Sequence, residues 1–126
     1  MICVASIDYL VLTVASVSRT FKFYSENFGM KPVGDDSDHY ALRFGDHIIY
    51  LHPLGKEKQH SARNFHVGSA DICFITKKPI DQVKKELEIN KVPILSDITV
   101  STGARGLLQS IYIHDPDGNL IQLSHY

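Results

Sequence analysis

The segment Ile7-Asp8-Tyr9-Leu10-Val11-Leu12-Thr13-Val14 is rich in β-branched residues and too short for a core helix, which predicts a strand with at least one buried face. The period then changes. Val17, Thr20, Phe21, Tyr24 and Phe28 recur at helical spacing between Ser16, a good N-cap, and Gly29, which can close a helix in a left-handed conformation. After Pro32 come short runs, Tyr40 to Phe44 and His47 to His52, joined by Gly45-Asp46, which is hairpin chemistry. From Ala70 the pattern restarts. Asp71 to Thr76 reads as a strand, and Pro79 opens a helix with the apolar stripe Ile80, Val83 and Leu87, closed by Pro93. Ile94 to Val100 and Gln109 to His114 read as strands, and the turn Asp115-Pro116-Asp117-Gly118-Asn119 precedes a last strand over Leu120 to Ser124.

Each half therefore reads as strand, helix, then meander, and an internal duplication sets Tyr9 opposite Asp71 and Tyr50 opposite Gln122. Two helices cannot cover both faces of a parallel sheet of about eight strands, so a doubly wound dinucleotide fold is disfavoured. The expected class is α+β, with paired βαβββ modules and one open sheet face. Side-chain alternation then sorts the strands. Leu10, Leu12, Ile49, Leu51, Ile72, Phe74, Ile121 and Leu123 form an apolar set suited to packing under the helices. Tyr9, Val11, Thr13, Tyr50, His52, Asp71, Cys73, Gln122 and Ser124 must occupy the other face. That mixed list matches the lining of a small-molecule cavity, mostly apolar with a few convergent polar groups; the competing reading is an ordinary solvated sheet face.

Composition narrows the partners. The chain has 126 residues, enough for one domain over 1–126, with module 1 at about 1–55 and module 2 at about 68–126. Thirteen Lys and Arg against fourteen Asp and Glu give a net charge of -1, and the basic residues are scattered among acids, so nucleic acid is not an expected partner. The apolar stretch from Ile7 to Ala15 is far short of the roughly 20 residues that cross a bilayer, and no membrane association is expected. Cys3 and Cys73 form neither a metal motif nor a disulfide framework, and reduced thiols in a cytoplasm are the expected state.

Several blocks in order carry a resemblance: Leu51-His52, Gly55-Lys56-Glu57, Gly68-Ser69-Ala70-Asp71-Ile72-Cys73, Thr102-Gly103-Ala104, Ser110-Ile111-Tyr112 and the final Asp115-Pro116-Asp117-Gly118-Asn119-Leu120-Ile121. With the duplicated β-α-β-β-β pattern, they resemble the vicinal oxygen chelate superfamily of glyoxalases, extradiol dioxygenases and fosfomycin or bleomycin resistance proteins. The nearest likeness is to the glyoxalase-domain-containing protein 5 group and bacterial relatives called virulence proteins. The resemblance implies an open-faced half-barrel, a homodimer, and a divalent metal (zinc, nickel, manganese or iron) held by outward side chains of the first and last strands of each module. Those positions are Tyr9, Tyr50, Asp71 and Gln122 here. Tyr9 replaces the typical His and Gln122 the typical Glu, so the departure falls on the chemistry itself.

The residues left to hold an ion are Asp71 and His52, with Gln122 and water, because a divalent cation takes deprotonated imidazole, carboxylate or thiolate. Asp71 and His52 are also the candidates to move a proton if the protein is a glyoxalase-like lyase or isomerase, or a dioxygenase. The alternative is a metal-free binding or sequestering protein, in which Tyr9 and Tyr50 give aromatic contact, Cys73 lines the cavity and Gln122 orients a polar ligand. His52 reads equally as a histidine at the cavity rim, and Asp71 as a solvated carboxylate. The remaining histidines read as surface residues, Thr102 to Gly106 as a lid or a plain loop, and Gly55 to Asn64 as a second flap.

Overall fold

A computed structural model describes residues 1–34, 39–56 and 60–126. Contacts divide the chain into two compact units, Met1–Val67 and Gly68–Tyr126. The first holds β1 (Leu10–Val14), α1 (Val17–Phe28), β2 (Lys31–Val33), β3 (Tyr40–Phe44) and β4 (His47–Pro53), in a sheet of order β1-β4-β3-β2. The second repeats the plan with β5 (Asp71–Ile75), α2 (Ile80–Ile89), β6 (Thr99–Gly103), β7 (Gly106–His114) and β8 (Leu120–His125), in the order β5-β8-β7-β6. In both sheets the first strand of the unit runs parallel to the last and the other pairs are antiparallel, so each unit is a mixed sheet with one helix. This is the α+β, twice-βαβββ plan read from the sequence.

The register makes the duplication concrete. Val11 pairs with Tyr50 on β1 and β4, and Cys73 pairs with Gln122 on β5 and β8. Each pair sits two residues past Tyr9 or Asp71, so the equivalences of Tyr9 with Asp71 and Tyr50 with Gln122 hold strand by strand. One face of each sheet packs on its own helix. In the first unit Leu12, Val14, Leu42, Ile49 and Leu51 are buried with Thr20 and Tyr24 of α1; in the second Ile111, Ile113, Ile121 and Leu123 are buried with Ile80, Val83 and Leu87 of α2. Each such aliphatic side chain stabilises its unit by roughly 2 kcal/mol relative to leaving it exposed.

The two helices are stopped differently. Ser16 sits in extended conformation and its side chain accepts a hydrogen bond from the backbone N–H of Arg19 at 3.2 Å, while Gly29 (φ 66°) closes α1 by donating to the Tyr24 and Ser25 carbonyls. Pro79 is the N-cap of α2 and gives no side-chain cap, because its ring has no oxygen to accept from the first backbone N–H groups. α2 ends at Ile89 with Asn90 as its cap, so Pro93 lies beyond the helix end and does not itself stop it.

Four local readings change. The first strand begins at Leu10, so Tyr9 lies just ahead of it. Lys31–Val33, interrupted by Pro32, is an edge strand; proline has no N–H to donate, and edges tolerate that loss. The strand expected over Ile94 to Val100 is a single bridge, Ile94 to Ile113, and the pairing strand lies later, at Thr99–Gly103. Thr102 to Gly106 is not a plain loop, since it spans the end of β6, a tight turn at Ala104-Arg105 and the start of β7. Of the flap expected over Gly55 to Asn64, residues 57–59 lie outside the described residues.

Candidate functional site

Alternation predicts that Tyr9, Val11, Thr13, Tyr50 and His52 share the face of the first sheet turned away from α1, and the register agrees, with Val11 opposite Tyr50 and Thr13 opposite His52. The Tyr9 and Tyr50 rings meet edge to face, with centroids 4.9 Å apart and planes at 84°. Such a contact adds about 1 kcal/mol beyond the area it buries. Tyr9 remains half-exposed, as does Val11, so the pair offers an apolar surface with phenol oxygens attached. His52 is half-buried further along β4.

The corresponding face of the second sheet carries a polar network, beside Tyr112 opposite Gln122 and Leu108 opposite Ser101. Gln122 and Ser124 on β8, Ser110 on β7, Ser101 on β6 and Cys73 on β5 are joined by hydrogen bonds across all four strands. The Gln122 amide nitrogen donates to Ser101 Oγ and Ser110 Oγ, each at 2.9 Å. Ser101 Oγ lies 2.7 Å from Ser110 Oγ, which lies 2.7 Å from Ser124 Oγ. The Cys73 thiol donates to Ser124 Oγ at 3.3 Å. Ser110 and Ser124 are fully buried, so these hydroxyls depend on one another in place of water. Where the sheet ends, Tyr126 lies over Gly103: a Cβ at Gly103 would come within 2.7 Å of the Tyr126 hydroxyl and 2.5 Å of Leu108. The same hydroxyl accepts from the Arg105 backbone N–H, and the Arg105 guanidinium sits 4.4 Å from the Tyr126 ring centroid.

The sequence reading thus placed Cys73, Gln122 and Ser124 together, and the structure brings them together. It missed Ser101 and Ser110 as partners of Gln122. Alternation along the two antiparallel strands would have found both, but the expected strand stopped at Val100 and left Ser101 outside it.

Asp71 stands exposed at the start of β5, on the same face as Cys73. Asp71 and Gln122 belong to the second unit and His52 to the first. Among the described residues, no group of three or more His, Cys, Asp or Glu could hold a metal ion. The four positions that the family resemblance assigns to the ion carry one carboxylate, two phenols and one neutral amide, and the phenols are engaged with each other ring to ring. A divalent ion takes imidazole, carboxylate or thiolate donors, and this set supplies a single carboxylate, so it does not fit a divalent ion.

Apart from chemistry, the frame of the second unit is pinned by the turn before β8. Asp115 Oδ1 accepts from the backbone N–H groups of Asp117 and Asn119, and its Oδ2 accepts from the Asn119 side chain. Asn119 Oδ1 in turn accepts from the Ala70 backbone N–H at 2.9 Å, which fixes the residue immediately before Asp71. Gly68 approaches this turn so closely that a Cβ would meet the Asp117 carbonyl at 2.2 Å.

Comparison with known proteins agrees with this frame. A family model for the Glyoxalase/Bleomycin resistance protein/Dioxygenase superfamily matches residues 6–123. The chain belongs to this superfamily. Among superfamily members, virulence protein STM3117 of Salmonella typhimurium is 44% identical over 120 residues, covering 95% of this chain and 83% of that protein. Its crystal structure superposes with a TM-score of 0.95 at 42% identity over 99% of each chain. The glyoxalase domain-containing protein RDO1 of Mycosarcoma maydis is 38% identical over 123 residues, 98% of this chain and 69% of that protein. Lactoylglutathione lyase from Agrobacterium tumefaciens shares the superfamily fold, with a TM-score of 0.74 at 22% identity over 96% of this chain and 93% of that one. Among the described residues no helix is long and apolar enough to cross a membrane.

Proposed function

We propose that this superfamily member binds a small organic molecule without the help of a metal ion. The observation that carries the reading is the donor set: Tyr9, Tyr50, Asp71 and Gln122 stand where the family places its ligands, and only Asp71 is anionic. In the first unit Tyr9 and Tyr50 supply aromatic contact area, of the kind that gives binding sites large apolar surface with a polar tip. In the second, Gln122 supplies a polar group held in place by serines. The homodimer and the cytoplasmic setting implied at the outset belong to the same proposal, and sedimentation equilibrium measures the first.

The test is a thermal-shift screen of untagged protein against small dicarbonyls, catechols, thiol conjugates and antibiotics, run with and without a strong chelator, since a bound ligand raises stability in proportion to its affinity. A hit whose shift is unchanged by the chelator supports metal-free binding. A shift abolished by the chelator and restored by zinc, nickel, manganese or iron overturns it. That outcome points to the metal-dependent glyoxalase- or dioxygenase-like enzyme, with Asp71, His52 and Gln122 as ligands.

A further inference from the structure

The orientation of the Gln122 amide follows from counting protons. Four short contacts join Gln122, Ser101, Ser110 and Ser124, and the three serines own one hydroxyl proton each. The Cys73 thiol proton is spent on a separate contact to Ser124. With the amide nitrogen facing Ser101 and Ser110, it donates to both. Two hydroxyl protons then fill the Ser101–Ser110 and Ser110–Ser124 contacts, and every contact is satisfied. With the amide reversed, three protons would have to serve four oxygen–oxygen contacts, and one contact would be left with none. The network therefore selects one orientation, as amide assignments by hydrogen-bond logic generally require. Its consequence is that the Gln122 carbonyl oxygen turns away from the serines, without a hydrogen-bond partner among the described residues.

Asp71 shares this face. It precedes Cys73 by two residues on β5, and Cys73 pairs with Gln122 on β8, so Asp71 lies on the same face as Gln122, one pleat repeat along the neighbouring parallel strand. Its carboxylate is exposed. A carboxylate accepts only, and the outward atom of the locked amide accepts as well. The two groups form an acceptor pair one step apart on the pleat.

We propose that Gln122 and Asp71 together recognise a ligand carrying a cationic nitrogen group with several N–H donors, an amidine, guanidine or amine, and that Ser101 and Ser110 act as positioning residues for Gln122. This rests on the metal-free binding reading and specifies the chemistry that one face would accept. A cationic group with several N–H donors can serve two separate oxygen acceptors at once, and the negative charge of Asp71 favours a cation over an anion of equal shape.

Benzamidine and benzoate test this as a matched pair, since they share shape and ring but one only donates and the other only accepts. Each is titrated into isotopically labelled full-length protein while the Gln122 side-chain amide and the Asp71 carboxyl signals are followed by NMR. Benzamidine is expected to shift both saturably, and benzoate at the same concentrations to leave them in place. Gln122→Leu and Asp71→Asn should each weaken benzamidine by about tenfold, and Ser101→Ala, which loosens the amide but keeps its oxygen, by about threefold. Where Gln122→Leu disturbs the fold, the surface change Asp71→Asn carries the test alone. Benzoate binding as well as benzamidine, neither probe moving the two signals, or Asp71→Asn binding benzamidine like the parent protein would each overturn the proposal. A metal ion found by elemental analysis of the same sample would instead count against the metal-free reading, so the two failures are distinguishable.

Discussion

The two units share one frame and differ in what they display on it. Strand order, the parallel pairing of first and last strands, and the helix-facing apolar rows repeat, yet the opposite faces have diverged. At equivalent positions the first unit has Tyr9 and Tyr50, packed ring against ring, and the second has an exposed Asp71 and a Gln122 hydrogen-bonded into a row of serines. The turns diverge too: Gly45-Asp46 is a two-residue hairpin with Gly45 at φ 53°, whereas Asp115 to Asn119 is a closed knot of side-chain hydrogen bonds. Packing against a helix constrains one side of every strand and leaves the other free, so a duplicated sheet can keep its fold while each copy acquires its own chemistry.

If the frame is truly repeated, Leu51→Ala and Leu123→Ala, at equivalent buried positions, should cost similar amounts, about 3 kcal/mol each, by urea unfolding. One costing several times the other would break the equivalence. The turns should behave oppositely. Asp115→Ala strands buried donors of Asn119 and should cost about 2–3 kcal/mol, while the exposed Asp46→Ala should stay within about 0.5 kcal/mol.

A subtler pair sharpens the difference between the faces. Gln122→Glu keeps the shape but removes the amide protons, leaving the serine row one proton short, and should cost about 1–2 kcal/mol. The equivalent Tyr50→Phe, which keeps the ring contact, should cost less than about 0.5 kcal/mol. Equal effects in calorimetry would mean that the second face carries no proton-ordered network.

The smallest effect concerns pH. The Lys84 ammonium hydrogen-bonds Asp97 at 3.0 Å and, with the Ile98 backbone N–H and the Lys84 charge, holds the Asp97 carboxyl below the usual carboxylate range. The hydrogen bond and charge of Asp97 in turn raise Lys84. A lowered carboxyl contributes stability above its unfolded pKa that is lost as pH falls through the folded one; the raised lysine contributes below its unfolded pKa and loses it as pH rises through the folded one. Between the two the contribution is flat. Asp97→Asn should therefore lower stability slightly at neutral pH and shallow its decline in acid, by an amount small for so exposed a pair.

Most of the frame was legible because two strong signals coincide in this chain. Ser16 and Gly29 bracket a run of helical period, and the strand alternation that put Leu12 and Leu51 beneath the helix also put Tyr9, Tyr50 and Gln122 on the other side. The weak places were edges. Lys31–Val33 contains a proline, and Thr99–Gly103 has a single large apolar residue, the exposed Val100, so neither carries a hydrophobic period to read. That second failure hid Ser101, and with it the reason Gln122 can stand where the family has a carboxylate: which atom of an amide faces which partner is decided by neighbours on two other strands.

Elemental analysis of protein purified without a metal-affinity tag, followed by zinc, nickel, manganese and iron titrations of the parent chain and Asp71→Ala, tests the metal-free reading most directly. The expected result is no ion near one per chain and no saturable binding that depends on Asp71. A stoichiometric ion that survives dialysis and is lost in Asp71→Ala would contradict it.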